Sequence, residues 1–404
     1  MDRTVFDPFD LEKCTFCGEC FNKCPVMELP LSVAIDEMKK LVNGEMTKHV
    51  LQKCTSCFTC NFICPEGANP TQLIVEKWHD DYQENGMKEF GSYFMTHEKV
   101  NFRSYVLERL PEDEKEMLRE WESLEPVDEI FYPGCNIVTS PYLTKSKIFD
   151  GLNIRGSLGM CCGETYFRMG HYEEVKQVVS RLNYYFGKMK IKKMIIPCTA
   201  GYNMFTNILP RFGAKFDFEI EHFYPTLLKK LESGELKVIK NINYTATLQE
   251  SCYGKMFGEE FMSIPRKILE FIGVKIVEEK YNKYDMLCCG IGGGFSQYSN
   301  YNPIDITLST IKSLNNAKKA ETDILSVYCA GCLQMFSTGK VAYPLFNKPV
   351  YHIFELVQMA IGEKPLRRQD ERGKTFLMGT IKNQIPKMLS KKRYKLGDIS
   401  IKDE

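Results

Sequence analysis

The first 65 residues carry two short runs of cysteines, each closed by a proline. Both runs have the spacing C-x2-C-x2-C-x3-C-P; the first is Cys14, Cys17, Cys20 and Cys24, and the second is Cys54, Cys57, Cys60 and Cys64. This spacing is typical of paired [4Fe-4S] clusters, in which the fourth cysteine of each run binds the other cluster. We therefore predict one cubane cluster on Cys14, Cys17, Cys20 and Cys64, and a second on Cys54, Cys57, Cys60 and Cys24.

Two other uses of these thiols fit the sequence less well. A zinc site usually takes two C-x2-C pairs rather than two quartets that end in Cys-Pro. A disulfide framework suits exported chains, whereas this sequence shows no signal-peptide pattern and has an odd number of cysteines, 17. Iron is the preferred interpretation, and a zinc-binding scaffold is kept as the alternative.

The remaining cysteines form two sets that follow one plan. The first set is Cys135, Cys161, Cys162 and Cys198, and the second is Cys252, Cys288, Cys289, Cys329 and Cys332. From one set to the other, the first cysteine, the adjacent pair and the next cysteine are offset by 117, 127 and 131 residues. Such near-constant offsets indicate an internal duplication.

The two sets differ in the number of thiols they offer. The five thiols of the second set exceed what one cube of four irons needs, so a more open cluster with a bridging thiolate would use them all. Adjacent side chains leave a strand in opposite directions, but a turn beside Gly163 or Gly290 could present both sulfurs of a pair to one centre. Cys329 and Cys332 alone could also form a zinc knuckle or a redox dithiol. In the first set Gly201 stands in the place of Cys332, which favours a vestigial or modified site.

The elements that must position these thiols alternate along the chain. Short apolar, strand-like runs precede the cysteines and helical stretches lie between them, which predicts α/β units whose strands end at one edge, where ligands gather. Between the two N-terminal runs, Val33, Met38, Leu41 and Val42 recur at helical spacing, and Gly44 is the expected stop. The gap between the runs is therefore predicted to be helical.

Two weaker signals lie in the second half of the chain. Gly292, Gly293 and Gly294 lack the spaced acidic partner of a dinucleotide-binding loop, so close approach of the backbone to a cluster is the better interpretation. His222 and His352, offset by 130 residues, precede apolar helix starts. We expect them to cap helices, with a proton donor near a cluster as the alternative.

Charge and composition limit the partners. The chain has 404 residues, 44% of them hydrophobic, and a formal net charge of +1, which predicts a globular protein with no general attraction to nucleic acid. Residues 364–395 carry eleven Lys and Arg against Asp370 and Glu371, a local balance of +9. This tail is expected to be solvated and partly disordered, or to dock on a partner subunit or an anionic membrane surface. With no apolar run long enough to span a membrane, the protein is expected in the cytoplasm or peripherally on the cytoplasmic face of the membrane.

Several short segments resemble a known family. The segments "FYPGC", "CCG" (twice), "CCGIGGG" and "CAGC" resemble the cysteine-rich CCG domains of heterodisulfide reductases, and the N-terminal part resembles a long-gap, α-helical ferredoxin. Their order along nearly the whole chain resembles the D-type subunit of that family. The resemblance implies an α-helical ferredoxin domain (1–96), a helical linker (97–128), a duplicated pair of α/β CCG domains (129–240, degenerate, and 241–362, complete) and a basic C-terminal tail (363–404).

The resemblance also implies a cofactor and a reaction. In reductases of this family a complete CCG set holds a noncubane [4Fe-4S] cluster, and a disulfide is cleaved between two such clusters. The corresponding ligands here would be Cys252, Cys288, Cys289, Cys329 and Cys332, with the chemistry near Cys288 and Cys289. The first set, Cys135, Cys161, Cys162 and Cys198, would hold a modified cluster or none.

Two functions follow from these expectations. The chain would carry electrons through the two cubane clusters to thiol-disulfide chemistry at the noncubane cluster of an anaerobic redox complex. Alternatively, it would be a conduit between a flavoprotein dehydrogenase and a quinone-linked or low-potential acceptor subunit. Because no flavin or nicotinamide motif is evident in the sequence, a flavoprotein or a cytochrome-type membrane subunit is the expected partner.

Overall fold

The computed structural model describes residues 4–401. The helices are α1 (Glu19–Asn22), α2 (Leu31–Val42), α3 (Val50–Lys53), α4 (Thr59–Ile63), α5 (Pro70–Asn85), α6 (Phe102–Leu107), α7 (Glu112–Trp121), α8 (Gly134–Val138), α9 (Glu164–Arg168), α10 (Tyr172–Met189), α11 (Thr199–Asn203), α12 (Phe223–Glu232), α13 (Gly258–Phe271), α14 (Pro303–Lys319), α15 (Ala330–Ala342), α16 (Ile353–Ala360) and α17 (Gln369–Asn383). The strands are β1 (Met87–Lys88), β2 (Glu129–Phe131), β3 (Lys193–Ile196), β4 (Glu219–His222), β5 (Thr245–Gln249), β6 (Lys275–Ile276), β7 (Ile324–Val327), β8 (Val350–His352) and β9 (Arg393–Tyr394). None of the helices within residues 4–401 is long and apolar enough to cross a membrane.

Helices surround both N-terminal cysteine runs. Helix α2 fills the gap between the runs and buries Ala34, Met38 and Leu41, and Gly44 follows it at φ 75°, so the predicted helix and its stop are confirmed. Helix α5 follows the second run and buries Trp78 and Tyr82 along its length. The two runs are thereby held between α2 and α5.

Two parallel sheets form the rest of the molecule. The first has the strand order β2-β3-β4 and the second β6-β5-β7-β8. In the first sheet Ile196 pairs with His222, and in the second Val327 pairs with His352, so the two histidines occupy matching ends of their sheets. Strands β2, β3, β5 and β7 lie where apolar runs before cysteines predicted them. Because parallel strands share a direction, the cysteines after them gather at one edge of each sheet.

The two adjacent cysteine pairs depart from the sequence expectation. The element immediately before each pair is not a strand but a single-turn 3₁₀ helix, Leu158–Met160 before the first pair and Lys283–Asp285 before the second. The turn beside each pair is as predicted, since Gly163 has φ 75° and Gly290 has φ 121°, a region that favours glycine. A strand would have pointed the two sulfurs of a pair apart, whereas the tight turns direct them to one side.

The two sheets share an apolar core. The rings of Phe149 and Phe354 lie 5.1 Å apart, and those of Phe131 and Phe223 are also 5.1 Å apart. A second core joins the N-terminal helices to α10, where the Tyr82 hydroxyl donates to Glu174 Oε1 at 2.7 Å. The N-terminal cysteine runs are therefore packed directly against the α/β part of the chain.

The basic tail is ordered within the described residues. Helix α17 packs on α15 and α6, and β9 pairs antiparallel with β1. The expectation of a partly disordered, solvated tail is therefore wrong for residues 369–394. Part of its charge is neutralised internally, because the Arg372 guanidinium lies 2.5 Å from the buried Glu114 carboxylate and Arg368 lies 2.6 Å from it.

Candidate iron-sulfur sites

The thiols predicted for the first cubane cluster surround one small cavity. Cys14, Cys17, Cys20 and Cys64 all line it, so the fourth cysteine of the second run reaches the first run across the domain. Burial raises the pKa of the Cys20 thiol, and the neighbouring Cys64 and Cys17 add to this. Cys17 is exposed, which places this site at the surface of the protein.

The thiols predicted for the second cubane cluster surround another cavity, which is buried. Cys24, Cys54, Cys57 and Cys60 line it together with Phe21 and Ile74. Burial raises the pKa of Cys24 to about 11. At Cys57 burial acts in the same direction, but the Lys255 ammonium and hydrogen bonds from Thr59 outweigh it and bring the pKa to about 7.

The two loops share a strained backbone conformation. Phe16 and Gly18 have φ values of 55° and 75°, and the corresponding Ser56 and Phe58 have 41° and 64°. Non-glycine residues adopt this left-handed region at a cost of about 1 kcal/mol or more each, which folded proteins retain mainly at functional sites. The conformation turns backbone N–H groups toward the sulfurs, as with Ser56 N, which donates to Cys54 Sγ at 3.3 Å.

The donor sets suit iron-sulfur clusters. Thiolates held by backbone N–H donors are typical cluster ligands, and hydrogen bonds to the sulfurs tune the potential. Such bonds recur here: Ala68 N lies 3.4 Å from Cys64 Sγ, and Thr71 Oγ1 lies 2.9 Å from Cys60 Sγ. Among residues 4–401, no group of three or more His, Cys, Asp or Glu side chains is arranged to hold a single metal ion.

The five thiols of the second CCG set converge beyond the ends of β5 and β7. Cys289 hydrogen-bonds with both Cys288 and Cys332. Cys252 lies close enough to Cys289 and Cys329 for their charges to raise its pKa. Burial raises the pKa of Cys252 to about 12, although the guanidinium of Arg168 opposes it. Gly292 N donates to Cys288 Sγ at 3.3 Å, again with a backbone donor at a thiol.

The four thiols of the first CCG set also come together. Cys135 hydrogen-bonds with Cys161, and both Cys162 and Cys198 lie near them. The buried Arg103 of α6 faces Cys135 and Cys161, and its guanidinium donates to Thr96 Oγ1 at 2.8 Å. The set is therefore compact and has a buried cation beside it despite the missing fifth cysteine.

The two CCG sets face each other. Burial, together with the nearby Cys329, raises the pKa of Cys198 to about 12. A small cavity between the sheet edges is lined by Cys198, Tyr328 and His352 among others. A Cβ atom on Gly331, between Cys329 and Cys332, would lie 2.7 Å from the side-chain nitrogen Nδ2 of Asn136, the residue after Cys135. The loops of the first and second sets are thus in direct contact.

The glycine-rich segment brings the second CCG set against the second cubane site. A Cβ atom on Gly292 would lie 2.8 Å from the Thr55 carbonyl oxygen and 3.0 Å from Cys288 Sγ. Of the three glycines, only Gly292 lies against a cysteine sulfur, and the predicted approach of this backbone to a cluster stays a prediction. What the sequence did not indicate is that the approach is to the loop between Cys54 and Cys57.

Both histidines at the strand ends cap helices, as predicted. Nδ1 of His222 accepts from Tyr224 N, and Nδ1 of His352 accepts from Phe354 N, each at 3.3 Å. Burial lowers the pKa of both imidazoles to about 3. They are therefore neutral near pH 7, with the ring proton on Nε2, and serve poorly as proton donors.

Two buried cations lie at the junction of these sites, and neither was predicted from the sequence. Arg168, 1% exposed, donates to Cys252 Sγ at 3.2 Å, to Ser56 Oγ at 3.1 Å and to the Thr55 carbonyl at 2.6 Å. Lys255, also 1% exposed, donates to Thr59 Oγ1. No local pattern marks the role of either residue, because the contacts that join the sites, from Arg168 to Cys252 and from Lys255 to Thr59, span 84 and 196 positions.

Comparison with known proteins identifies the N-terminal cysteine runs and the second CCG set. Residues 7–65 match the family model described as a 4Fe-4S dicluster domain, and residues 246–337 match the cysteine-rich domain. The chain is 25% identical to the D-type subunit of the dihydromethanophenazine:CoB--CoM heterodisulfide reductase of Methanosarcina mazei, over 89% of this chain and 96% of the relative. The predicted resemblance to this type of subunit is therefore confirmed.

Two longer relatives share the same arrangement over part of their length. The probable iron-sulfur-binding oxidoreductase FadF of Bacillus subtilis is 24% identical over 82% of this chain and 49% of its own. The EtfAB:quinone oxidoreductase of Syntrophomonas wolfei is 22% identical over 88% of this chain and 59% of its own. Together these comparisons show that the chain is an iron-sulfur subunit of the oxidoreductase type.

Proposed function

We propose that this chain carries electrons through two cubane [4Fe-4S] clusters to a noncubane [4Fe-4S] cluster that performs thiol-disulfide chemistry. The observation that carries the proposal is the contact of the five-thiol set with the second cubane site, made by Arg168 and by Gly292. The cubane ligands would be the two groups of thiols around the N-terminal cavities. The noncubane ligands would be Cys252, Cys288, Cys289, Cys329 and Cys332.

The fold supports the division into domains that the sequence suggested. Helices carry both cubane sites, in keeping with an α-helical ferredoxin domain at 1–96 and a helical linker at 97–128. The two parallel sheets hold matching cysteines and capping histidines at their ends, in keeping with a duplicated CCG pair at 129–240 and 241–362. A basic segment, 363–404, closes the chain.

The positions of the sites support a proposed route for electrons. Exposed Cys17 puts the first cubane site at the surface, where a partner subunit would dock. The second cubane site is buried, and its Thr55 loop touches both Arg168 and Gly292 of the α/β part. Electrons entering at the first site would therefore pass inward through the second site to the CCG set.

The reaction would consume two electrons and two protons. A disulfide R–S–S–R′ would be cleaved at its S–S bond, each sulfur taking one electron and one proton to give two thiols. When bound, the noncubane cluster supplies the electrons and an iron site for a substrate sulfur. The protein's part is to hold this centre, with Arg168 donating to the Cys252 sulfur, and to place the first CCG set across the small cavity.

The ligand set can be tested by substitution in the assembled complex, purified without oxygen. Cys289→Ser and Cys332→Ser are expected to lower the iron content from about twelve to about eight per chain and to abolish disulfide turnover. Full turnover in both variants would refute disulfide chemistry at this set. Cys161→Ser serves as the comparison, because it alters the four-thiol set and leaves the five-thiol set complete.

A conduit without its own substrate is the second candidate. The observation that favours it is Gly201 in the place of a fifth cysteine, since disulfide cleavage between two clusters needs two complete sets. In that case the chain would pass electrons between a flavoprotein dehydrogenase and a quinone-linked or low-potential acceptor. Purification with a flavoprotein, about eight irons and an EPR spectrum unaffected by added thiols would identify it.

The tail supports a peripheral position on a membrane. Met378, Ile381, Ile385 and Leu389 are exposed on α17 and the turn after it, Leu389 by 93%. Lys374, Lys382, Lys391 and Lys392 are exposed around them. Apolar side chains set among lysines are typical of segments that lie on anionic lipid surfaces, so we assign this surface to the cytoplasmic face of the membrane, beside a membrane-bound partner.

Vesicle co-sedimentation tests the tail. The protein is expected to bind vesicles containing anionic phosphatidylglycerol and to lose most of this binding in the double variant Ile381→Ser/Ile385→Ser. Leu345→Ser is the control, because Leu345 is 67% exposed outside the tail. Equal binding to purely neutral vesicles would contradict the charge argument, and absence of binding would contradict the surface as a whole.

A further inference from the structure

Lys255 places a buried charge beside the second cubane site. Its ammonium donates to Thr59 Oγ1 and lies 3.5 Å from the Tyr284 carbonyl oxygen. Thr59 stands between Cys57 and Cys60, and its hydroxyl also lies 3.4 Å from Cys57 Sγ. The ion pairs of residues 4–401 give this ammonium no carboxylate partner, in contrast to Arg168, which lies 3.1 Å from Glu164.

An unpaired buried charge is costly. The effective penalty is several kcal/mol per ion, so folded proteins retain such a charge where an opposite charge faces it. Here the sulfurs of the neighbouring site can supply the opposite charge, because Lys255 lies near both Cys57 and Cys60, and a cube held by four thiolates is negative in both of its common redox states. Lys255 is thus complementary to the loaded site.

We propose that Lys255 is the counter-ion of the second cubane cluster and keeps that cluster reducible by the first. This inference rests on the proposed function, which assigns a cube to Cys24, Cys54, Cys57 and Cys60. Reduction adds a negative charge, and burial disfavours the more highly charged form. An ammonium fixed next to two of the ligands offsets this effect, because Coulomb attraction is weakly screened inside the protein.

The first cubane site has a different solution. The basic residue in its lining is Lys13, which is exposed, so water and salt screen its charge. Cys17 is exposed as well, and water itself stabilises the reduced cluster there. At the first cubane site, the outer one, solvent would thus stabilise the reduced cluster, as Lys255 would at the second, inner site.

Another cation of the α/β part, Lys312, lies beside the Cys24 end of the second cubane site. The Lys312 ammonium donates to the Pro25 and Val26 carbonyl oxygens at 2.6 and 2.9 Å, immediately after Cys24. Lys312 is half-exposed and lies 3.9 Å from Glu28, so its effect on the cluster is expected to be smaller. The α/β part therefore brings several cations to the second cubane site, and Lys255 differs from Arg168 and Lys312 in being buried without a carboxylate partner among the ion pairs of residues 4–401.

Redox titration followed by EPR tests this role on the full chain, purified without oxygen. In Lys255→Gln, one of the two cubane signals should titrate at lower potential, so that its ratio of reduced to oxidised form at a fixed potential falls at least tenfold, about 59 mV for one electron. Lys255→Arg should restore most of the potential. Lys13→Gln, the matched control, should leave that signal unchanged.

The outcomes separate this inference from the function on which it rests. About eight or more irons per chain with no shift in Lys255→Gln, or an equal shift in Lys255→Arg, would overturn the counter-ion role alone. Far fewer irons in the unaltered protein would overturn the two-cube assignment itself. If Lys255→Gln does not fold, Lys255→Met preserves the length of the side chain and gives the same readout.

Discussion

The contact between Gly292 and the Thr55 loop allows a direct test of how the N-terminal cysteine runs pack against the α/β part of the chain. In Gly292→Ala the new Cβ would lie 2.8 Å from the Thr55 carbonyl oxygen and 3.0 Å from both Thr55 Cβ and Cys288 Sγ. Real Cβ atoms do not approach so closely, and a backbone carbonyl cannot rotate away as a side chain can. We expect overpacking to cost about 1 to 3 kcal/mol.

A matched glycine sets the baseline for this substitution. Gly187 lies inside α10, and a Cβ built on it would meet nothing within 4 Å. Gly187→Ala should therefore stabilise the protein by about 0.5 to 1 kcal/mol, because alanine loses less backbone freedom in a helix. The two alanine variants are thus expected to differ by about 1.5 to 4 kcal/mol.

Thermal melting of the two variants at one scan rate, without oxygen, measures this difference. Gly292→Ala should melt several degrees below Gly187→Ala and should lose iron from the second cubane site first. Gly293→Ala adds a second comparison, since its Cβ would press on Ser309 and Asp305 of α14 rather than on the cubane loop. If Gly292→Ala melts together with Gly187→Ala, the cubane loop does not rest on the glycine segment and the electron route loses its support.

Two further predictions concern stability. Glu114→Ala should cost about 3 to 5 kcal/mol in denaturant unfolding, because it leaves Arg372 (4% exposed) without its carboxylate. Glu112→Ala, which breaks only exposed pairs, should leave the unfolding midpoint nearly unchanged. Burial raises the pKa of Glu355 to about 7 despite the nearby Arg367, so the folded state binds a proton that the unfolded state releases near pH 4.5. The stabilisation from this group is fully present below pH 4.5 and is lost as the pH rises to about 7. In Glu355→Gln the unfolding midpoint should therefore vary less with pH across that interval. A midpoint that varies with pH as steeply as in the unaltered protein would contradict the assignment.

Local sequence patterns predicted the parts of the site that depend on local geometry. The two cavities, with Cys64 beside the first run and Cys24 beside the second, agree with what the ferredoxin-type spacing of the runs indicates, and the ligation itself stays a prediction. The helix caps at His222 and His352 follow from a polar residue before an apolar helix start. In each case the partners lie a few residues apart or are fixed by a known ligand pattern.

The features of the site that the sequence did not predict depend on contacts between distant segments. Arg168 and Lys255 look in the sequence like ordinary surface cations, since long basic side chains are rarely buried. Only the packing of α9 and of the segment after β5 against the Thr55–Thr59 loop buries them. The tail was misjudged for the same reason, because Glu114, which neutralises two of its arginines, lies more than 250 residues earlier.

These contacts give the proposed first CCG repeat a structural role, whether or not it holds a cluster. Arg168 belongs to that repeat, shortly after Cys162, yet its guanidinium contacts Cys252 of the second set and Ser56 of the cubane loop. Asn136, beside Cys135, packs against Gly331 between two ligands of the second set. A repeat that supports the five-thiol centre from one side is constrained by packing and charge even if it holds no cluster of its own. The missing fifth cysteine is therefore compatible with an essential first repeat.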